Sequence, residues 1–150
     1  MATISLVKFN RFFLDLSWNW LNDPEIKQMT NTSDFTKEMQ IIWFDRIDYM
    51  CNYSIWGIQY NDLPIGVCGL KNITLNDCEY WGYIGEKIYW GIRLGSAMIK
   101  LMEEKAKEYG LKSIWLSVMN DNERALKLYK KNSFSKERVI KNLIIMRKIL

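Results

Sequence analysis

The chain has 150 residues, 49% hydrophobic and 25% charged, with a net charge of +4; this suits one globular domain with a substantial core, expected to span residues 1–150. Its 21 Lys and Arg are interspersed with 17 acids, so no basic block points to nucleic acid. Histidine is absent, which excludes Ser-His-Asp and Cys-His catalysis and removes the commonest metal ligand, and Cys51, Cys68 and Cys78 lack CxxC spacing, so neither a metal site nor a disulfide framework is expected.

Thr3 to Val7 alternates as a first strand. Leu14, Trp18 and Leu21 recur at helical spacing until Asn22-Asp23-Pro24 interrupts them. A second helix is expected from Thr36 to Met50, with Met39, Ile42, Trp43, Ile47 and Met50 on one face. Tyr53 to Tyr60, Leu63 to Ile73 and Cys78 to Ile84 are β-branched and aromatic runs separated by the turn formers Asn61-Asp62 and Asn76-Asp77, which reads as an antiparallel meander.

A long amphipathic helix follows, with Leu94, Met98, Leu101, Met102 and Tyr109 on one stripe and Gly110 just past its end. Lys112 to Met119 reads as a buried strand. Asn120 or Asp121 is the expected cap of a helix with Glu123 in its first turn, and Val139 to Leu150 supplies one or two closing strands. The expected fold is α/β: a mixed, mostly antiparallel sheet with helices on both faces. No run of about 18 apolar residues could span a membrane. The start lacks the basic-then-apolar signature of a signal peptide, so a cytoplasmic protein with reduced thiols is expected.

Two spans carry chemistry. The first, Tyr89 to Ser96, opens the long helix. Unpaired amides and the positive end of a helix dipole make such a start a cradle for phosphate, and Gly91, Gly95 and Ser96 are small enough for close approach. The second runs from Asn120 to Phe134 and sets Asn122, Ala125 and Tyr129 near one helix face. Alone, each has a plain structural reading: a glycine cap, or a cap plus a core tyrosine.

In this order and separation the spans resemble the GNAT superfamily of N-acetyltransferases, well over residues 51–135 and more loosely before them. In that family the loop before the long helix has the form Gln/Arg-x-x-Gly-x-Gly/Ala; here Gly95 meets its last position, while Trp90 stands at the Gln/Arg position and Arg93 at the first glycine. The later helix carries Asn-x-x-Ala-x-x-x-Tyr, met by Asn122, Ala125 and Tyr129. The resemblance implies the family fold and an acetyl-CoA-dependent transfer without a covalent acetyl-enzyme. It implies that backbone amides of Gly91, Ile92, Arg93, Leu94, Gly95 and Ser96 bind the coenzyme pyrophosphate, that Asn122 borders the coenzyme, and that Tyr83 and Ile84 hold the pantetheine arm. Arg93 is expected to turn outward and add a phosphate contact without straining the loop.

Tyr129 is the candidate acid for the departing thiolate, because a phenol stays protonated near neutrality yet can donate to a developing anion. Glu79, on the strand before the loop, is the candidate acceptor of the amine proton. Trp18, Trp20 and Trp43 fall where family members shape the acceptor pocket. Trp18 to Met29 resembles two branches, one acetylating α-amines of ribosomal proteins, the other nucleotide-linked 4-amino sugars in pseudaminic acid synthesis; Asn72 to Glu79 and Asn120 to Phe134 favour the second. The expected partner is therefore a small amine, with protein N-termini or a non-catalytic binding module as alternatives. A homodimer could form through the closing strands.

Overall fold

The computed structural model describes residues 3–150. The chain runs β1 (Ile4–Lys8), α1 (Arg11–Asn22), α2 (Pro24–Met29), α3 (Lys37–Ile47), β2 (Ser54–Tyr60), β3 (Leu63–Lys71), β4 (Asp77–Ile84), a 3₁₀ turn (Lys87–Tyr89), α4 (Leu94–Glu108), β5 (Ser113–Met119), α5 (Glu123–Lys131), β6 (Ser135–Ile140) and β7 (Leu143–Ile149). The seven strands form one sheet in the order β1-β2-β3-β4-β5-β7-β6. Every neighbouring pair is antiparallel except β4 with β5.

Helices cover both faces. On one, Met98, Ile99, Met102 and Ala106 of α4 pack on Cys68, Leu70, Cys78, Ile114 and Leu116, with Ala125 and Leu128 of α5 alongside. On the other, Phe13, Leu14 and Trp20 of α1, Ile26 of α2 and Ile47 of α3 close over Val67. Coverage on both sides explains why β3 reads as an unbroken apolar run: Ile65 to Leu70 are all buried.

Several helix faces differ from the spacing argument. α1 buries Phe13, Leu14, Ser17 and Trp20, while Trp18 and Leu21 are half-buried. α3 ends at Ile47, short of the expected Met50, and Ile47 is its only buried residue; Met39 and Ile42 are exposed, as is Met50 beyond the helix. The helix docks through Gln40, whose amide reaches Leu14 O (3.1 Å) and Ser17 Oγ (3.0 Å), so a polar anchor replaces part of the expected apolar stripe. Tyr109 is also exposed and hydrogen-bonds Ser54. Asn122, not Asn120 or Asp121, caps α5: its Oδ1 accepts from Ala125 N at 3.2 Å.

Two helices end alike. Leu111 N donates to Ala106 O and Gly110 N to Lys107 O after α4, and Phe134 N donates to Tyr129 O and Ser133 N to Lys130 O after α5. Each pattern requires a left-handed residue just past the helix. Gly110 supplies it in the first case (φ +75°) and Ser133, not Asn132, in the second (φ +72°).

Candidate active site

The site originates in a failure of strand pairing. β4 and β5 run side by side only from Asp77 to Glu79 and from Ser113 to Trp115, and then diverge. The remainder of β4 stays paired to β3, so its far edge is open. Gly85 N donates to Ile65 O (2.7 Å), which fixes the alternation: Tyr83 turns its backbone to β3, while Gly82 and Ile84 turn theirs to the gap. A cavity of about 1010 Å³ fills the gap and extends over both sheet faces.

One end of the cavity lies at the start of α4, where Gly91, Arg93, Leu94 and Gly95 contribute to its wall. α1, α2, α3 and α5 have side-chain N-caps from Asn10, Asp23, Thr36 and Asn122; α4 has none. Its first-turn amides therefore face the cavity without a side-chain partner, where an anion finds both donors and the helix dipole. Gly91 sits at φ +83°, and a Cβ there would meet only Arg124 Nη2, at 3.6 Å.

Arg93 departs from expectation. It is the N-cap, exposed, at φ +65° and ψ +21°, a left-handed conformation that crowds its Cβ against the backbone. The loop does require positive φ here, and Arg adopts it under strain. Gly95 is small for a different reason as well: a Cβ would stand 2.8 Å from Leu128 Cδ2, so its bareness serves α4–α5 packing. Ser96 Oγ accepts from Asn132 Nδ2 (3.0 Å). Ile92 is exposed, and the side chains of Ile84, Ile92 and Ser96 stand outside the cavity wall.

Beside this end, Arg124, Lys127 and Lys131 line the cavity from α5 and make no ion pair among the described residues. Their i, i+3, i+7 spacing sets them on one helix face, a pattern that was readable in the sequence. Asn122 borders the same region with the amide nitrogen that its capping bond leaves available.

Tyr129 stands at the waist of the cavity, packed edge-on against Phe134 with centroids 6.0 Å apart. Burial pushes its phenol up to about 12. Burial likewise raises Tyr80, whose hydroxyl would lie 2.8 Å from a Cβ at Gly82, and the nearby Tyr129 adds to that shift. These phenols stay protonated at neutral pH and can act only as proton donors.

Glu79 lies at the far end, only 8% exposed. Its Oε1 accepts from Asn72 Nδ2 (2.9 Å) and its Oε2 is 3.8 Å from Lys71 Nζ. Around it the wall is aromatic: Phe35, Trp43, Tyr53, Trp81 and Tyr83, interrupted by Ser17, Thr30, Asn31, Thr32 and Gln40. Of the three tryptophans expected to shape this pocket only Trp43 does so. Trp20 is buried with its Nε1 on Glu86 Oε1 (2.9 Å), and Trp18 stacks edge-on with Phe35. Trp81 escaped the sequence reading because it alternates within β4 like any core aromatic, and Tyr53 because it directly precedes β2 and reads as the start of that strand.

Residues 16–134 match the model of the acetyltransferase (GNAT) family. The chain belongs to that family. It is an acetyl-CoA-dependent N-acetyltransferase. The chain is 27% identical over 132 residues to acetyltransferase PseH of Campylobacter jejuni, covering 87% of this chain and 82% of that protein. Among solved structures, a domain from Methanocaldococcus jannaschii superposes with a TM-score of 0.88 at 22% identity, over all of both chains. The C. jejuni N-acetyltransferase PseH in complex with acetyl coenzyme A gives 0.77 at 19% identity, over 98% of this chain and 99% of that one. These structural likenesses concern the fold. Such an enzyme must hold two substrates, a thioester donor and an amine acceptor, and the cavity has two ends, one at the start of α4 and one at Glu79. Among the described residues no helix is long and apolar enough to cross a membrane, and no His/Cys/Asp/Glu cluster could hold a metal.

Proposed function

We propose that residues 1–150 act as one domain transferring acetyl from acetyl-CoA to the primary amine of a nucleotide-linked amino sugar. The observation that carries this is the charge of the cavity wall. Glu79 is its single carboxylate, against five cations: Lys71, Arg93, Arg124, Lys127 and Lys131. One carboxylate suits one ammonium, whereas a polyamine would bring further charges that find no partner. The aromatic wall suits the apolar face of a sugar ring, and its amides and hydroxyls suit sugar hydroxyls. The similarity to PseH and the resemblance of Asn72–Glu79 and Asn120–Phe134 to the amino-sugar branch support the same choice.

In this reading the coenzyme pyrophosphate meets the uncapped amides of α4, and Arg93, Arg124, Lys127 and Lys131 neutralise its charge. The pantetheine arm runs along the open edge of β4, where the Gly82 and Ile84 amides face the thioester; Tyr83 contributes its side chain to the wall. The amine nitrogen attacks the carbonyl carbon, a backbone amide polarises the oxygen, and Glu79 takes the amine proton directly or through water. The C–S bond breaks and Tyr129 protonates the sulfur. The dryness that raises Tyr129 also raises a thiolate expelled beside it, so the transfer stays near balance.

A cytoplasmic setting fits the free thiols of Cys51, Cys68 and Cys78. No dimer through the closing strands is proposed: edge strand β6 carries Lys136, Glu137 and Arg138, charges that discourage edge pairing.

The test offers the purified protein acetyl-CoA with a UDP-linked 4-amino sugar, a ribosomal-protein N-terminal peptide or spermidine, and follows coenzyme A release. The expected kcat/KM for the sugar nucleotide exceeds the others by about 100-fold or more, the scale set by unmatched polar groups in a site. Preference for the peptide or spermidine refutes the acceptor assignment, and absence of turnover with every amine refutes the catalytic one.

A further inference from the structure

Trp90, at the Gln/Arg position of the phosphate loop, makes three contacts that reach different parts of the molecule. Its Nε1 donates to Ile84 O (2.9 Å), the last residue of the splayed strand. Arg124 of α5 lies over the ring with its guanidinium carbon 5.8 Å from the centroid. Lys87 Nζ lies 5.8 Å from the same centroid, and is itself held by Asp23 Oδ2 (2.8 Å) and Glu25 Oε1 (3.0 Å) at the start of α2. A cation over an indole is held by the quadrupole of the ring, which fixes the direction of an otherwise flexible arm. Arg124 is exposed and makes no ion pair among the described residues, yet its Nη2 stands near the Gly91 turn, on the side where the α4 amides open.

We infer that Trp90 is a positioning residue. It holds Arg124 against the phosphate cradle, and by its bond to the Ile84 carbonyl it fixes the end of β4, which keeps the adjoining Ile84 N–H aimed into the gap. The inference rests on the reading that coenzyme phosphate occupies the cradle. Arg124 then meets the anion already oriented, and Lys87, held by Asp23 and Glu25 against the same indole, keeps the ring from turning away. The same contacts tie the start of α2 to the loop that binds the donor.

The experiment is a double-mutant cycle on acetyl-CoA affinity, measured by calorimetry at low and high salt, with folding checked by circular dichroism. Arg124→Gln is expected to weaken binding about tenfold in the wild-type background but less than about twofold beside Trp90→Leu, because the indole gives the guanidinium its position. Trp90→Leu alone should flatten the salt dependence as much as Arg124→Gln does. Trp90→Phe keeps a ring but loses the N–H; it should lower kcat about fivefold while leaving affinity within about twofold. Equal effects of Arg124→Gln in both backgrounds overturn the inference, as does an unaltered salt dependence in Trp90→Leu. Should Trp90→Leu not fold, Arg124→Lys answers the same question at an exposed site: wild-type affinity there shows that charge without planar stacking suffices and overturns the proposal. Absence of acetyl-CoA binding by the wild type overturns the coenzyme reading itself, which separates the two failures.

Discussion

Arg93 offers a test in which stability and binding move in opposite directions. Its backbone is left-handed, at φ +65° and ψ +21°, and its side chain is exposed without an ion pair among the described residues. A left-handed L-residue costs about 1–2 kcal/mol, and glycine returns about 0.5–1 kcal/mol of that through its freer unfolded state. Arg93→Gly is therefore expected to gain about 0.5–1 kcal/mol, which raises Tm by about 2–3 °C in a chain of this size. Arg93→Ala removes the same charge but keeps the strain, so the glycine variant should exceed it by about 1 kcal/mol. Urea denaturation of the three proteins measures this directly. Both variants lose one exposed cation near the cradle, worth about 0.2–1 kcal/mol, so acetyl-CoA binding should weaken up to about fivefold at low salt and little at high salt. Equal stability of the glycine and alanine variants would refute the strain argument. Tighter binding by the glycine variant at every salt concentration would refute the phosphate contact.

Tyr129→Phe keeps the ring against Phe134 and removes a hydroxyl with no hydrogen bond among the described residues, so stability and acetyl-CoA affinity should hold while kcat falls about 100-fold or more; wild-type turnover would return Tyr129 to the core. Gly95→Ala sets a methyl where Leu128 Cδ2 is 2.8 Å away. Overpacking of about 1–3 kcal/mol, offset by the gain of about 0.5–1 kcal/mol of alanine over glycine in a helix, should leave a net loss of about 0.5–2 kcal/mol in thermal unfolding. An unchanged or raised Tm would mean that Leu128 shifts at no cost. Burial raises Tyr53, Tyr80, Tyr83 and Tyr129 above 10, and Cys68 and Cys78 above 9. The folded chain therefore keeps protons that the unfolded chain releases, and stability should fall from about pH 9 upward, approaching about 1.4 kcal/mol per pH unit for each group once its unfolded form is ionised and its folded form still protonated. Urea midpoints that stay level to pH 11 would contradict these burial effects.

The order of elements could be read because each strand is bracketed by its own turn chemistry: Asn61 and Asp62 both take positive φ between β2 and β3. The donor end was legible for the same local reason, since a glycine-bearing helix start advertises itself within a few residues. The acceptor end was not. Its wall draws on Ser17, Gln40 and Trp81, from three elements, and on Tyr53 just before β2, and these meet only after folding. Gln40 illustrates the difficulty: apolar periodicity assigns it no role, yet its two long-range hydrogen bonds seat α3 on α1. The strain at Arg93 is not legible locally, because its side chain suits phosphate while the demand on its backbone comes from the path of the loop.

The short union of β4 and β5 has a consequence beyond making room for a ligand. Three residue pairs join β1–β4 to β5–β7 across the sheet, and past them each half keeps its own hydrogen bonds. Such a seam leaves α4, packed on strands of both halves, as the main tie between them, so that each half can open with its own rate of amide exchange. A pantetheine arm lying along it would act as a temporary strand, sewing the seam from Tyr80 to Ile84. Exchange at Gly82 and Ile84 should then slow most, and the two halves should begin to melt as one body, with about 2.7 kcal/mol added at a ligand concentration about 100 times Kd. The molecule would be most uniform in its stability when loaded and most divided when empty, so its mechanical integrity would report how much acyl donor is present.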